Sequence, residues 1–352
     1  MKIIYLSCPR VSLTGGRKYN DAFMTYLSNY SRLEFVTTPG CSDIYKGWRK
    51  LLAPLIELKY LLRFKKGDLV FWGDTTFRYH FLLALFARHF KHLNSFIIIH
   101  HYNQYPSNIK GRFLQTFQKW YIRQCGTIIV PSPYTLDRTR QFFPKKKVLY
   151  VPLPFEKKYV PSEGFQIGNL LYVGTIEKRK GLLYLIEALS IYRHQKPNQH
   201  ISLDIVGKVI DNEYAELLHN KAEENGLADI VHFRGRVSNQ ELENLYRQAE
   251  IFTFPSLLEG YGIVLVEALN RGVPIIAFDN SAMPYTVKNG RNGFLAENKS
   301  ASSFAEKLLL LVGNKSLRLE LQKGIKKSVE TLKTQEDFEE GIRALYNKNV
   351  VK

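Results

Sequence analysis

Two carboxylates in this 352-residue chain, Glu259 and Glu267, stand with seven residues between them and flank the turn Gly260-Tyr261-Gly262. A carboxylate accepts hydrogen bonds through two oxygens, which suits a pair of hydroxyls. A glycine-containing turn that opens a helix lets backbone N–H groups and the helix N-terminus approach an anion closely. Glu267 falls in a run that is otherwise apolar through Leu269, where a carboxylate is costly without a partner. Ribose hydroxyls would supply donors to Glu267, and sugar hydroxyls would do so for Glu259. The plainer alternatives are a Lys or Arg partner for Glu267 and a merely solvated Glu259.

The elements around the pair must place it on a rim. Ile251 to Phe254 is a β-branched and aromatic run stopped by Pro255, which cannot donate to a central ladder. Ser256 to Gly262 reads as a loop and the stretch from Ile263 as a helix. Gly272 stops that helix, and Val273-Pro274 leads into a second strand, Ile275 to Phe278. In an open parallel sheet built from such β-α-β units, ligands lie outside the carboxyl ends of the strands.

The string Pro255-Ser256-x-x-Glu259-Gly260-Tyr261-Gly262-x-x-x-x-Glu267-Ala268-x-x-x-Gly272-x-Pro274 resembles the donor-site signature of the retaining family 4 glycosyltransferases. The resemblance implies that Glu259 and the amides of Gly260, Tyr261 and Gly262 contact the transferred sugar, and that Glu267 binds the ribose. Upstream, Asn169 to Gly174 reads as a strand running into Thr175-Ile176-Glu177-Lys178-Arg179-Lys180-Gly181 and then a helix from Leu182 to Tyr192. This is similar to the family's phosphate loop. Thr175 stands where many members carry Arg, and the adjacent Arg179-Lys180 matches a variant in which those two hold the diphosphate. A solvated basic turn is the alternative. Gly235-Arg236-Val237 is similar to the segment that cradles the base, whereas Tyr285 departs from the family's usual Glu.

The resemblance is looser in the first half. Lys2 to Leu6 reads as a strand, and the loop Thr14-Gly15-Gly16-Arg17-Lys18 precedes a helical pattern at Asn20 to Tyr30. Gly15 and Gly16 resemble the family's loop facing the diphosphate, with an ordinary tight turn as the alternative. Asp68 to Phe71 and Ser95 to Ile99 read as strands, with a helix at Arg78 to Phe90 between them. The second strand ends in His100-His101. His100, by its strand-end position, is the first choice for a histidine touching the donor sugar, with His101 beside it as the alternative. Arg112 to Gln124 reads as a further helix and Thr127 to Val130 as a strand.

Composition bounds the remaining choices. The length suffices for two domains with their own cores. Three widely spaced cysteines, Cys8, Cys41 and Cys125, argue against a disulfide framework or a zinc site and for a reducing compartment. No secretory signal is evident, and no apolar run approaches the roughly 20 residues of a membrane span. The net charge of +18 is uneven: residues 1–150 hold 24 basic and 7 acidic side chains, whereas residues 151–352 hold 26 and 25. The basic half points to an anionic partner. Trp48 to Lys66, with leucines set among Arg49, Lys50, Lys59, Arg63, Lys65 and Lys66, reads as a basic amphipathic helix fit for a membrane interface or for core packing, with Pro54 kinking it or marking its first turn.

The implied architecture is α/β, the GT-B fold of two Rossmann-like domains facing across a cleft. Residues 1–153 would bind acceptor, 154–335 would bind the nucleotide sugar, and the helix in 336–352 would cross back to the first domain. The implied reaction moves a hexose-type sugar from a UDP- or GDP-linked donor to a hydroxyl of a glycan or lipid-linked acceptor, with retention and without a metal or other cofactor. The expected setting is cytoplasmic and peripheral on an anionic membrane surface, in lipopolysaccharide, capsule or exopolysaccharide assembly. A sugar-nucleotide epimerase or hydrolase of the same fold, or a non-catalytic basic protein binding membrane or nucleic acid, is the alternative, with nucleic acid the less favoured partner.

Overall fold

The computed structural model describes residues 2–7, 15–37, 49–73, 77–91, 93–102, 108–161 and 164–350. Cys8, Cys41, Thr14, Trp48 and Asn103 lie outside them; Cys125 is a free, buried thiol. The chain divides into two compact units, Met1–Phe155 with Lys333–Lys352, and Glu156–Leu332.

The first unit alternates strands and helices. These are β1 (Ile3–Ser7), α1 (Gly15–Leu27), β2 (Leu33–Thr37), α2 (Arg49–Glu57), β3 (Leu69–Gly73), α3 (Phe77–Lys91), β4 (Asn94–Ile98), α4 (Ile109–Gln124), β5 (Thr127–Val130), α5 (Pro133–Phe142) and β6 (Lys147–Tyr150). All strands run parallel in the order β2-β1-β3-β4-β5-β6. β3 and β5 are buried almost throughout, as expected of strands covered on both faces by crossover helices.

Two sequence readings are corrected here. The Gly15-Gly16 pair is not a loop before a helix but the first turn of α1. Gly16 does not have a positive φ. Gly16 is small because the His100 ring lies against it: a Cβ there would stand 3.0 Å from Cδ2 of that ring. The expected single helix over Trp48 to Lys66 is α2 followed by a tighter 3-10 segment, Leu58–Arg63. Pro54, inside α2, withdraws one N–H from the ladder just before that change.

The second unit contains β7 (Asn169–Val173), α6 (Leu182–Gln195), β8 (Ser202–Val206), α7 (Asn212–Glu224), β9 (Val231–Gly235), α8 (Asn239–Gln248), β10 (Ile251–Phe254) and α9 (Ile263–Asn270). It continues through β11 (Ile275–Phe278), α10 (Met283–Thr286), β12 (Gly293–Ala296), α11 (Ala301–Leu311) and α12 (Lys315–Glu330). Its parallel sheet has the order β12-β11-β10-β7-β8-β9. From β7 the chain steps outward to β8 and β9, and from β10 it steps the other way. The β7/β10 boundary is therefore the switch point at which α/β sheets open a crevice for ligands.

The last helix, α13 (Gln335–Val350), belongs to the first unit. Phe338 packs its ring 5.8 Å from that of Tyr19 and 6.2 Å from that of Phe23, and the Tyr346 hydroxyl donates to the Tyr30 carbonyl at 3.0 Å.

Candidate functional site

The loops leaving β7 and β10 meet at the switch point, and two glycines shape the β7 loop there. Gly174 follows β7 directly; a Cβ there would fall 2.6 Å from the Tyr172 hydroxyl, which donates to the Thr175 carbonyl at 3.0 Å. Gly181 has φ +67°, and its missing Cβ would fall 2.1 Å from the Pro255 carbonyl oxygen. A side chain at Gly181 would push the two loops apart, and one at Gly174 would displace the Tyr172 hydroxyl within the β7 segment itself.

Between those glycines, a short 3-10 turn at Lys178–Lys180 presents Arg179 and Lys180 to the β10 loop. Lys180 Nζ donates to Glu259 Oε1 at 2.6 Å and lies 5.3 Å from the centre of the Phe254 ring. Arg179 donates through Nη1 to Glu259 Oε1 at 3.2 Å and to the Leu258 carbonyl at 2.7 Å, and through Nη2 to Glu177 Oε1 at 2.8 Å. Thr175 donates its hydroxyl to the same Glu177 oxygen at 2.7 Å. The Ser256 hydroxyl is 2.9 Å from Glu259 Oε1. Burial pushes the Glu259 carboxyl upward, but the Lys180 ammonium and Arg179 guanidinium together outweigh it and hold the group below the usual carboxylate range. Glu259 is thus not merely solvated. It is an ionised carboxylate bridging two cations.

Glu267 sits on α9, half-buried. Its Oε2 accepts from the Tyr246 hydroxyl at 3.2 Å. The nearest guanidinium, that of Arg271, turns instead to Glu243 at 2.6 Å and to the Glu267 backbone carbonyl at 2.9 Å. Among the described residues, no Lys or Arg pairs with the Glu267 carboxylate, and none donates to its Oε1. That leaves a carboxylate oxygen for a ligand, the need inferred from its apolar sequence context. Gly262, at φ +80°, turns the chain into α9, so the helix N-terminus opens beside Glu259.

Of the remaining candidates, Gly235, Arg236 and Val237 stand at the carboxyl end of β9, on the same edge of the sheet as the β7 and β10 loops, with Gly235 at φ +65° and Arg236 exposed. Gly15, Gly16 and His100 lie in the other unit and come together there. His100 follows β4, with Nε2 2.8 Å from Asn20 Oδ1 and its ring edge-on to Tyr19 at 5.4 Å. Burial, with His101 adding to it, lowers its pKa to about 4, so the ring is neutral. His101 is exposed. Tyr246, Glu177, Asn280 and Ser281 were missed. Their contacts depend on strand order and backbone turns that no spacing in the sequence displays.

Residues 168–328 match the family model described as "Glycosyl transferases group 1". A "D-inositol 3-phosphate glycosyltransferase" of Paenarthrobacter aurescens (strain TC1) is 30% identical over 140 residues, 40% of this chain and 34% of that protein. The chain spans about a third of the length of the curated relatives it matches first. Two solved structures extend the likeness over nearly the whole chain. Sucrose-phosphate synthase from Thermosynechococcus elongatus has a TM-score of 0.78 at 17% identity, covering 99% of this chain and 98% of that one. HepE of Anabaena, solved with UDP and glucose, has a TM-score of 0.71 at 18% identity, covering 99% and 100%. Residues 168–328 are therefore similar to the glycosyl transferases group 1, and the two solved structures give the whole chain the GT-B fold.

Proposed function

We propose that the chain is a retaining glycosyltransferase that moves a hexose-type sugar from a UDP- or GDP-linked donor to an acceptor hydroxyl. The observation carrying this reading is the pair of glutamates at the switch point. One is bridged to Lys180 and Arg179, and the other has an oxygen free of any described donor. Glu267 takes the ribose hydroxyls. Arg179, Lys180 and the N-terminus of α9 face the diphosphate, where charge grows as the bond between the anomeric carbon and the phosphate oxygen breaks. Preorganised donors aimed at such charge are commonly the largest catalytic contribution. Glu259, held in place by those cations, contacts the sugar. Arg236, beside Gly235 and Val237, flanks the base. These protein groups supply the counter-charge in this reading, so the reaction runs without a metal.

The acceptor oxygen forms its bond to the anomeric carbon on the face the diphosphate leaves, and the departing phosphate oxygen takes the acceptor proton. No protein nucleophile is needed. The test is turnover of UDP-glucose, UDP-galactose, UDP-N-acetylglucosamine and GDP-mannose with lipid-linked and soluble acceptors, with the product anomer read by NMR. A product of inverted configuration would refute the retaining reading. Conversion of the sugar nucleotide with no acceptor consumed would favour the epimerase or hydrolase.

The acceptor class we propose is a lipid-linked glycan at an anionic membrane surface, as in lipopolysaccharide, capsule or exopolysaccharide assembly. The support lies in the first unit, where α2 and α4 both pack on α3. Leu55 on α2, Leu62 in the 3-10 turn, and Ile109 and Phe113 on α4 are 56%, 86%, 80% and 67% exposed. Lys59, Arg63, Lys65, Lys66, Lys110 and Arg112 are exposed among them, and the sequence holds no Asp or Glu between Asp74 and Asp137. Apolar tips ringed by cations insert into headgroups, each cation adding about 1 kcal/mol near anionic lipid. The same excess of positive charge, relieved at Arg63 by Glu34 at 3.7 Å, opposes face-to-face pairing of two copies. Leu62→Glu combined with Phe113→Glu should cut flotation with phosphatidylglycerol vesicles at least tenfold and leave UDP binding unchanged. Equal flotation with phosphatidylcholine vesicles would rule the surface out.

A further inference from the structure

Two described residues other than glycine have positive φ, Ser281 at +44° and Lys299 at +62°. A side chain disfavours that backbone, and it persists where its surroundings over-determine it. Lys299 lies in the turn just before α11, far in sequence from the glutamates. Ser281 does not share that setting: it is half-buried past the carboxyl end of β11, beside the β10 loop.

The left-handed turn aims Ser281 Oγ at the backbone of Glu259. That oxygen accepts from the Glu259 N–H at 3.0 Å and donates to Asn280 Oδ1 at 2.7 Å. Asn280 Nδ2 in turn donates to the Ser256 carbonyl at 3.1 Å and to Asn298 Oδ1 at 2.7 Å. The loop from Ser256 to Glu259 is therefore tied at both ends to the chain leaving β11. The Glu259 carboxylate is fixed separately, by Lys180, Arg179 and Ser256. Backbone and side chain of one glutamate are thus anchored by different elements.

We propose that Ser281, oriented by Asn280, is a positioning residue that sets where Glu259 presents its carboxylate to the transferred sugar. The inference rests on the glycosyltransferase reading of the site and assigns Ser281 no contact with the donor. Lost alignment of Glu259 acts on the reacting end of the donor, while Glu267 and the base-side residues continue to hold the nucleotide. The consequence is a fall in kcat with nucleotide affinity unchanged.

Glycine separates this role from a structural one, because it adopts the left-handed backbone without penalty while lacking the hydroxyl. Ser281→Gly should melt no lower than the unaltered protein and bind UDP or GDP within twofold of it. Its kcat with the corresponding sugar nucleotide should fall about tenfold, and amide hydrogen exchange across residues 257–262 should quicken. Asn280→Ala should lose kcat similarly, and the double variant should be no worse than the worse single one, since the two act in series. Ser281→Gly with unaltered exchange at 257–262, or with full kcat, overturns the proposal. Glu259→Gln distinguishes this failure from a wrong site. If Glu259→Gln is inactive while Ser281→Gly is fully active, Ser281 alone is misassigned; if Glu259→Gln is fully active, the reading of the site falls.

Discussion

Replacing Lys180 by Ala is expected to lower kcat by about 10²–10³, the usual cost of removing one preorganised donor from a site of developing negative charge. Lys180 is 9% exposed, its ammonium confined between the Glu259 carboxylate and the Phe254 ring. A charge so enclosed needs little reorganisation when the diphosphate departs. Lys180→Gln, which keeps a donor and loses the charge, should recover only part of the rate. The variant also leaves Glu259 with Arg179 as its one cation, and the balance that holds the carboxyl low shifts toward the upward push of burial. The sign follows from linkage. A carboxylate whose folded pKa is depressed contributes stability above its unfolded pKa and loses it as pH falls through the folded value. Without Lys180 that loss moves to higher pH, so the acid limb of the activity profile of Lys180→Ala should move upward as kcat falls. Unchanged kcat with a raised KM would instead mark Lys180 as a binder of donor and transition state alike.

Glu267→Ala should abolish thermal stabilisation by the nucleotide. A ligand at a hundredfold excess over its Kd stabilises by about 2.7 kcal/mol. For a protein of 352 residues, with about 2.1 cal/mol/K of unfolding entropy per residue, that is a shift of roughly 4 °C. The Glu267 carboxylate takes one hydrogen bond, from Tyr246, and no cation among the described residues holds it. Its removal costs the fold the hydrogen bond of the buried Tyr246 hydroxyl and costs the ligand its ribose contact. Tyr246→Phe should give a smaller loss, because it frees the carboxylate to rotate without removing it. A full UDP or GDP shift in Glu267→Ala would place the ribose elsewhere.

Much of the second unit was legible because its signals are local. Ile251–Phe254 and Ile275–Phe278 are strands with the bounds read from β-branched runs and their flanking Pro residues. The requirement that Glu267 find donors came from its apolar neighbours, and the structure gives it Tyr246 and an open oxygen. The first unit was harder. A Gly-Gly pair reads as a turn on conformational grounds, whereas Gly16 is needed for the room a histidine 84 residues away takes up. Steric needs of that kind come from packing and leave no mark in the spacing. Ser281 was illegible for a related reason: its role arises from a left-handed φ and from β11 lying next to β10. Arg179 and Lys180 could be chosen from the motif. That Glu259 would bridge them could not.

The return of α13 to the first unit has a consequence for synthesis. Residues 156–332 are contiguous, so the second unit can complete its sheet as soon as it leaves the ribosome. The first half can complete its sheet, all of whose strands lie between Ile3 and Tyr150, but not the packing on α1. Its α1 presents Tyr19, Phe23 and Tyr26 as a face that Phe338 covers, and Phe338 is translated more than 300 residues later. The N-terminal half must therefore wait with an aromatic surface open while the rest of the chain is made, which makes it the part of the nascent protein most in need of a chaperone.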